Sequence, residues 1–412
     1  GHRIPIYYCS NEGCKDVIMV ETSKPEKCVR CGSTEHIHQD NDVLDTWASS
    51  WIWPYEVFRT KEEQDYFYPT NILVTGPDII YLWVARMIIA GMEYKHEIPF
   101  TDVYFNGIVR DEKGRKMSKS LGNFTDPLEL FNIYGADAVR FTIVRLTPIG
   151  NDVLFADEKC ELGKNFANKL WNAARFLMMN KEKNPGIKQV CHTEFIEDKW
   201  INSRLNHTIE TVEEKFKTFQ LNDALKAVYE FLWNDLCDWY IEMAKSRFQS
   251  ENEAERRSVL ENALYNFDIA LRVLHPFMPF ITEELWLNLD ERKEGDSIML
   301  SSIPDPDRSL IDVESEEIME TVKDIIGRVR NIRAENNIIP SKTVDMIIKS
   351  SDEKLKQFAS VVKFLAKIED ITFDTDAVKP KLSATSIING LEIYIPLEGI
   401  IDLGAEKEKI EK

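Results

Sequence analysis

The stretch Asn71-Ile-Leu-Val-Thr75, then Gly76-Pro77, then Asp78-Ile-Ile-Tyr-Leu-Trp-Val-Ala-Arg-Met87 and on to Met92, decides how the first part of this chain is read. The short apolar run reads as a buried strand, and the glycine-proline pair breaks it. Asp78 through Met92 is apolar nearly all round, as a buried helix would be. A second strand is predicted at Asp102-Val-Tyr-Phe-Asn-Gly-Ile-Val109. Strand, glycine turn, helix and strand are the grammar of an open α/β sheet, where ligands sit beyond the carboxyl ends of the strands. Only about half of such a sheet is visible.

Upstream, residues 1–41 are turn-rich and too few to hold a core of their own, so something must staple them. Downstream of Val109 come a turn at Asp111-Glu-Lys-Gly114, a polar loop up to Asn123, and Asp126-Pro127, an N-cap with proline at the first helical position. The reading then changes to long amphipathic helices: Lys164 to Met179, Trp200 to Phe219, Leu221 to Phe248 and Glu253 to Leu274. Asn184-Pro-Gly186 and His275-Pro276 punctuate them, which predicts a helical bundle. After Pro340, strand-like runs at Thr343 to Lys349, Ile371 to Phe373 and Leu391 to Pro396 surround a helix at 352–367. The expected class is α/β plus all-α: 1–41 a cysteine-bearing knuckle, 42–156 half of a Rossmann-like domain, 157–338 the bundle, 339–402 a small α/β appendix, and 403–412 the start of a charged helix.

The net charge of −19 argues against a protein that coats nucleic acid, DNA included, because phosphate affinity comes from clustered Lys and Arg. Any nucleic-acid contact must be local. No apolar stretch approaches the roughly 20 residues of a membrane span. Of the seven cysteines, Cys9, Cys14, Cys28 and Cys31 form a tight group while Cys160, Cys191 and Cys237 are scattered, which is no disulfide framework and fits a reducing cytoplasm. The chain opens on Gly1-His2-Arg3 without a methionine and is expected to be a cut piece.

The sharpest signal is Lys116-Met-Ser-Lys-Ser120 followed by Gly122-Asn123. Two lysines and two hydroxyls on a glycine-flanked loop can fold over a triphosphate and meet the charge that builds during displacement at phosphorus. The string resembles in full the second signature of the class I aminoacyl-tRNA synthetases. In that family the loop (Lys116, Met117, Ser118, Lys119, Ser120) closes over ATP with its magnesium, and the resemblance gives Lys116 and Lys119 the catalytic role. Asp42-Val-Leu-Asp-Thr-Trp47 with Ser49-Ser50, and Gly76-Pro-Asp-Ile-Ile80 with Trp83-Val-Ala-Arg-Met87, are similar to the valyl members. Ala48 stands where those usually have phenylalanine, and Pro77 where they have a bulkier residue. By this resemblance Trp47, Ile79 and Trp83 wall the valine side chain, and Gly76 and Asp78 lie near the adenosine. Taken singly, each tryptophan reads equally as core. An apolar pocket of this kind cannot strongly reject an isostere that swaps methyl for hydroxyl, the valyl enzyme facing threonine being the standing example. The editing insertion, and the first class I signature of His-Ile-Gly-His type, are expected upstream of residue 1.

Cys9-x4-Cys14-x13-Cys28-x2-Cys31 offers four thiolates in two knuckles, the closed tetrahedral set that structural zinc prefers. The first gap is four residues where the valyl family more often has two, so Cys14 departs from the pattern; His36 or His38 is the alternative ligand. In the helical region, Leu274-His-Pro-Phe-Met-Pro-Phe-Ile-Thr-Glu-Glu-Leu-Trp286 resembles the anticodon-binding domain of the valyl, isoleucyl, leucyl and methionyl enzymes. In Gly327-Arg-Val-Arg-Asn-Ile-Arg333, Arg330 and Arg333 share a helical face that can meet tRNA phosphates or simply be solvated. Trp233, Trp239 and Tyr240 are candidate platforms for unstacked bases. The implied function is valine-tRNA ligase, with tRNA(Val), valine and ATP as partners and a monomeric parent. An isoleucyl-type enzyme and a non-catalytic RNA-binding descendant of a synthetase remain as alternatives.

Overall fold

The computed structural model describes residues 1–399, so the predicted charged helix at 403–412 lies outside the described residues. The chain divides into two compact units. The first is Gly1–Val109 with Ile149–Val153, and the second is Arg110–Pro148 with the chain from Leu154 onward.

The first unit opens with a three-stranded antiparallel sheet in the order β2-β1-β3, where β1 is Ile6–Cys9, β2 is Ile18–Val20 and β3 is Ile37–Gln39. Its buried core is only Tyr7, Val17, Met19, Ile37 and three of the cysteines, too small to hold together by apolar burial alone. Three short helices follow, α1 (Trp47–Ser50), α2 (Trp53–Glu56) and α3 (Lys61–Phe67), the last closed by a capping box between Thr60 and Glu63. Then come β4 (Thr70–Thr75) and β5 (Phe100–Phe105), parallel and in register from Thr70 opposite Phe100 to Thr75 opposite Phe105, joined through α4 (Ala85–Tyr94).

Three details differ from the sequence reading. β4 is covered on one face only: Leu73 packs towards the cluster of Val84, Met87 and Phe100, while Ile72 and Val74 are exposed. The predicted helix from Asp78 is not one regular helix; Pro77–Ile79 form a 3-10 turn and Ile80–Val84 a π turn before α4 begins. β5 stops at Phe105 instead of reaching Val109. Gly107 passes so close to Asn151 that a Cβ there would lie 2.1 Å from the Asn151 carbonyl oxygen, which no strand residue with a side chain permits.

The two-residue strands β6 (Val109–Arg110) and β7 (Val153–Leu154) fall at the unit boundaries; β6 leads into the loop of the signature string, then α5 (Pro127–Tyr134) and α6 (Ala136–Arg145) of the second unit. The bundle is built from α7 (Cys160–Lys183), α8 (Ile196–Lys217), α9 (Leu221–Glu230), a π segment Phe231–Tyr240, α10 (Ile241–Phe248), α11 (Glu253–Leu274), α12 (Pro279–Leu289) and α13 (Val313–Glu335). Among the described residues no helix is long and apolar enough to cross a membrane. The appendix is a four-stranded sheet, order β10-β11-β8-β9, of β8 (Val344–Ile348), β9 (Ile368–Phe373), β10 (Ser383–Ile388) and β11 (Leu391–Pro396), with α14 (Glu353–Gln357) and α15 (Ala359–Ala366). Its Val344, Met346, Val362 and Ile393 belong to the same buried cluster as the bundle. The sequence reading missed β10, whose Ser-Ala-Thr-Ser start carries little strand signal. The turn that pairs it with β11 is Asn389-Gly390, both with positive φ (48° and 83°), the chemistry of a two-residue hairpin.

At the heart of the bundle an ion pair is taken out of water. The Arg247 guanidinium donates to both oxygens of Asp198 (2.9 and 2.8 Å) and to Glu197 (3.0 Å), and lies 3.7 Å from the Phe195 ring centroid. Tyr240 Oη donates to Asp198 Oδ1 at 2.6 Å and accepts from Asn262 Nδ2 at 3.0 Å. Asp198 is fully buried, and burial pushes its carboxyl up against the pull of Arg247. Asp198→Ala strands the guanidinium without its main partner and is expected to cost about 3–5 kcal/mol. Urea denaturation should show this as a lower midpoint with an unchanged slope; a loss below about 1 kcal/mol would mean that the remaining partners, Glu197, Glu255 and Ser258, hold the charge without Asp198.

Candidate functional site

Cys9 sits at the end of β1, Cys14 in a 3-10 turn over Glu12–Cys14, and Cys28 and Cys31 in a turn closed by the Cys28 N–H to Ser33 O (2.8 Å) and Gly32 N–H to Cys28 O (2.9 Å) bonds. Gly32 takes φ +70°, which glycine adopts without strain. The four sulfurs lie within 4.8 Å of one another, with Cys9–Cys31 at 3.7 Å and Cys14–Cys28 at 3.9 Å, and all four cysteines are free. A metal–sulfur bond of about 2.3 Å gives a tetrahedral edge of about 3.8 Å, so this donor set fits a four-thiolate metal. The Ser33 N–H and the Asn11 amide (3.2 Å) bring the Cys31 thiol down to about 6, and the Cys31 and Arg30 amides lower Cys28. Among the described residues the group holds no histidine: His38 Nδ1 is 3.2 Å from Ser10 Oγ, and His36 lies outside the cluster.

In the same unit β4 delivers the chain to Gly76, where a Cβ would come 2.7 Å from Asp78 Oδ1. Trp83 lies in the π turn, a distortion that turns side chains away from the regular helical stripe and recurs at functional positions. Its indole N–H donates to Ser50 O at 2.9 Å, and Arg86 pairs with Asp45 at 2.7 Å, so α1 with Trp47 is tied to the start of α4 at two points. Trp47, Ile79 and Trp83 are each half-buried, neither sealed in the core nor free in solvent.

The string Lys116–Ser120 lies in the second unit and is organised by two residues given no such role in the sequence reading, Asp111 of the predicted turn and Asn123 at the end of the polar loop. Asp111 accepts from the Lys113 and Arg115 amides (3.0 and 2.9 Å), from Arg115 Nε (2.8 Å) and from Asn123 Nδ2 (3.0 Å). Asn123 Oδ1 in turn accepts the Ser118 N–H at 3.0 Å, and Ser118 Oγ accepts the Leu121 N–H at 3.3 Å. Lys116 and Lys119 are exposed, Lys119 Nζ standing 5.8 Å from the Phe124 ring centroid. The available signal was an aspartate three residues before Gly114 and an asparagine directly after Gly122.

Two of the helical candidates, Arg333 and Tyr240, need correction because they are buried, while Arg330 is exposed. Arg330 donates to Leu365 O (3.2 and 3.0 Å), and Arg333 to Lys367 O (3.3 Å), Ile339 O (3.1 Å) and Lys342 O (2.6 Å). They share a helical face as predicted, but that face meets the C-terminal end of α15, whose orphan carbonyls attract cations. Arg333 is 7% exposed and has no surface to offer a phosphate. Tyr240 is wholly buried with its hydroxyl bound to Asp198, so it is no platform for a base. Trp233 is stacked on Tyr229 with Lys169 Nζ 4.0 Å from its ring centroid, and Trp239 has Arg330 at 5.8 Å.

Residues 1–156 match the family model "tRNA synthetases class I (I, L, M and V)" and residues 198–348 the "Anticodon-binding domain of tRNA ligase". The chain therefore carries a class I tRNA synthetase segment and an anticodon-binding domain. Along its whole length it is similar to valine-tRNA ligases: that of Fusobacterium nucleatum subsp. nucleatum is 44% identical over 423 residues, and that of Petrotoga mobilis 42% over 420. Each match takes in 100% of this chain and 47% of the relative, so the chain spans about half the length of the curated relatives it matches. A solved LeuRS-tRNA-LeuAMS complex from Agrobacterium radiobacter K84 shares the fold, with TM-score 0.61 and 22% identity over 75% of this chain and 41% of that one.

The Asp111 network generates a test of the loop. The Asn123 amide, and after it Arg115, hold the Asp111 carboxyl far below the usual carboxylate range. A depressed folded value means that its contribution is present at neutral pH and is lost only as pH falls through that lower value, so loop protection should persist down to about pH 4. Asp111→Asn should speed amide hydrogen exchange at Lys113 and Arg115 and tryptic cleavage after Lys116 and Lys119 at neutral pH. Unchanged exchange in the variant would remove Asp111 from its place as the loop's hub.

Proposed function

We propose that this chain serves the ATP-dependent activation of valine and the transfer of the valyl group to tRNA(Val), supplying the signature loop, part of the amino-acid pocket and the anticodon-binding bundle. The observation that carries this reading is the Lys116–Ser120 string, held in an ordered loop by Asp111 and Asn123, within a chain similar along its whole length to valine-tRNA ligases. ATP arrives as its magnesium complex. Lys116 and Lys119 place ammonium charges on the phosphates, with Ser118, Ser120 and the loop backbone as hydrogen-bonding partners, so the loop acts by positioning and charge stabilisation and supplies no nucleophile. Gly76 permits close approach of the adenosine beside Asp78, and Trp47, Ile79 and Trp83 form the apolar wall for valine, Trp83 held by its indole bond to Ser50 O and the Trp47 backbone amide by Asp45 Oδ1. In the complete enzyme, pyrophosphate exchange into ATP should depend on valine. Lys119→Ala should lower its turnover about 100- to 1,000-fold with little change in the Michaelis constant for valine. Exchange driven by isoleucine instead, or untouched by the substitution, sinks the reading.

Cys9, Cys14, Cys28 and Cys31 hold a structural zinc in this reading; when bound, the ion cross-links turns whose apolar core is too small to do so. The purified chain should carry one zinc by atomic emission, and Cys28→Ser should abolish it together with the order of residues 1–41. A chain that is zinc-free yet has an unaltered knuckle spectrum refutes the assignment.

A further inference from the structure

α12 begins with a cap that its own sequence does not provide. Its N-cap residue, Met278, has no side-chain acceptor, and Pro279 occupies the first turn. The amides of Phe280 and Ile281 donate instead to Asp137 Oδ1 (3.2 Å) and Oδ2 (2.6 Å), a carboxylate on the first turn of α6 that is 8% exposed. One turn further along α6, Arg140 donates to Pro276 O (3.0 Å) and Phe277 O (3.3 Å). A single helical turn thus takes the free amides on one side of the break before α12 and the free carbonyls on the other. Separating α6 from α12 would leave the buried Asp137 carboxylate and the two helix-start amides without these partners, so the two move together.

The other face of α6 is equally fixed. Gly163 of α7 approaches Ala138 so closely that a Cβ would lie 2.7 Å from the Ala138 oxygen. Towards the N-terminus, α6 follows α5, α5 is capped by Asp126, and Thr125 Oγ1 donates to Asp157 at 3.1 Å just beyond the signature loop. All of these residues, the loop included, belong to the same compact unit as the helical bundle.

We propose that Asp137 and Arg140 are positioning residues that couple the bundle to the Lys116–Ser120 loop, so that a displacement of α12 on tRNA binding reaches the loop through α6 and α5. This rests on the reading of the bundle as a tRNA-binding domain. Neither residue touches substrate; both act through the helices they join.

The test is hydrogen exchange of peptides covering 116–123, with the full chain free and bound to tRNA(Val), for the native protein, Asp137→Asn and the milder, surface-lying Arg140→Met. Urea midpoints and tRNA affinities are measured on the same samples. In the native chain tRNA should slow loop exchange about five-fold. In each variant tRNA affinity should stay within a factor of about two while the loop's response is lost. In free Asp137→Asn, exchange at Phe280 and Ile281 should rise about five-fold with the loss of the charged cap. A loop that responds equally in native and variant chains overturns the coupling, as does a native loop that stays silent while tRNA binds. Failure of the native chain to bind tRNA indicts the tRNA-binding reading instead. The coupling is then decided in the free chain, where Asp137→Asn must speed exchange in 116–123 or the proposal falls.

Discussion

A helix end that is packed inside a protein leaves amide and carbonyl groups that water cannot reach, and each must find a partner or cost the fold stability. Much of the second unit is arranged around that demand. Asp137 serves the start of α12, Arg140 the carbonyls before it, and Arg330 and Arg333 the end of α15. In every case the charge comes from a segment remote in sequence, so each cap is also a tertiary bond. The appendix is fastened to α13 in this way, and the segment that follows the signature loop is fastened to the bundle.

The same demand decides which charges remain for function. Arg333, whose guanidinium is shared among three backbone carbonyls, cannot also bind a phosphate, because its surface is covered. Lys116 and Lys119 differ: the loop is ordered by Asp111 and Asn123 through backbone amides, and the two lysine side chains stay exposed. Order in the backbone with charge left at the surface is what a loop needs if it is to meet phosphates without first paying the whole entropy of ordering itself. The cysteine knuckle solves a different shortage. Its apolar core is a handful of residues, and the four convergent sulfurs offer a cross-link that burial alone cannot supply.

Much of what depends on neighbours along the chain was legible in the residues alone. Period and punctuation placed the parallel strand pair around Gly76-Pro77, the helix Glu253–Leu274 to its end residues, and the continuous helical span Leu221–Phe248. The string at Lys116 and the spacing of the four cysteines were legible as chemistry because residue type and separation are all that such motifs require. The hairpin at Asn389-Gly390 was missed, because the strand before it opens on polar residues.

The rest was fixed by packing between distant segments. Helical spacing put Arg330 and Arg333 on one face, but what that face meets depends on where α15 docks. Tyr240 looked like an available aromatic until Asp198 and Arg247 closed over it, and the π turns at Ile80–Val84 and Phe231–Tyr240 reset which side chains point inward. The physical reason is the same throughout. Periodicity and turn preference are set by a few consecutive residues, whereas burial, and the pairing that burial compels, are set by which distant segment arrives.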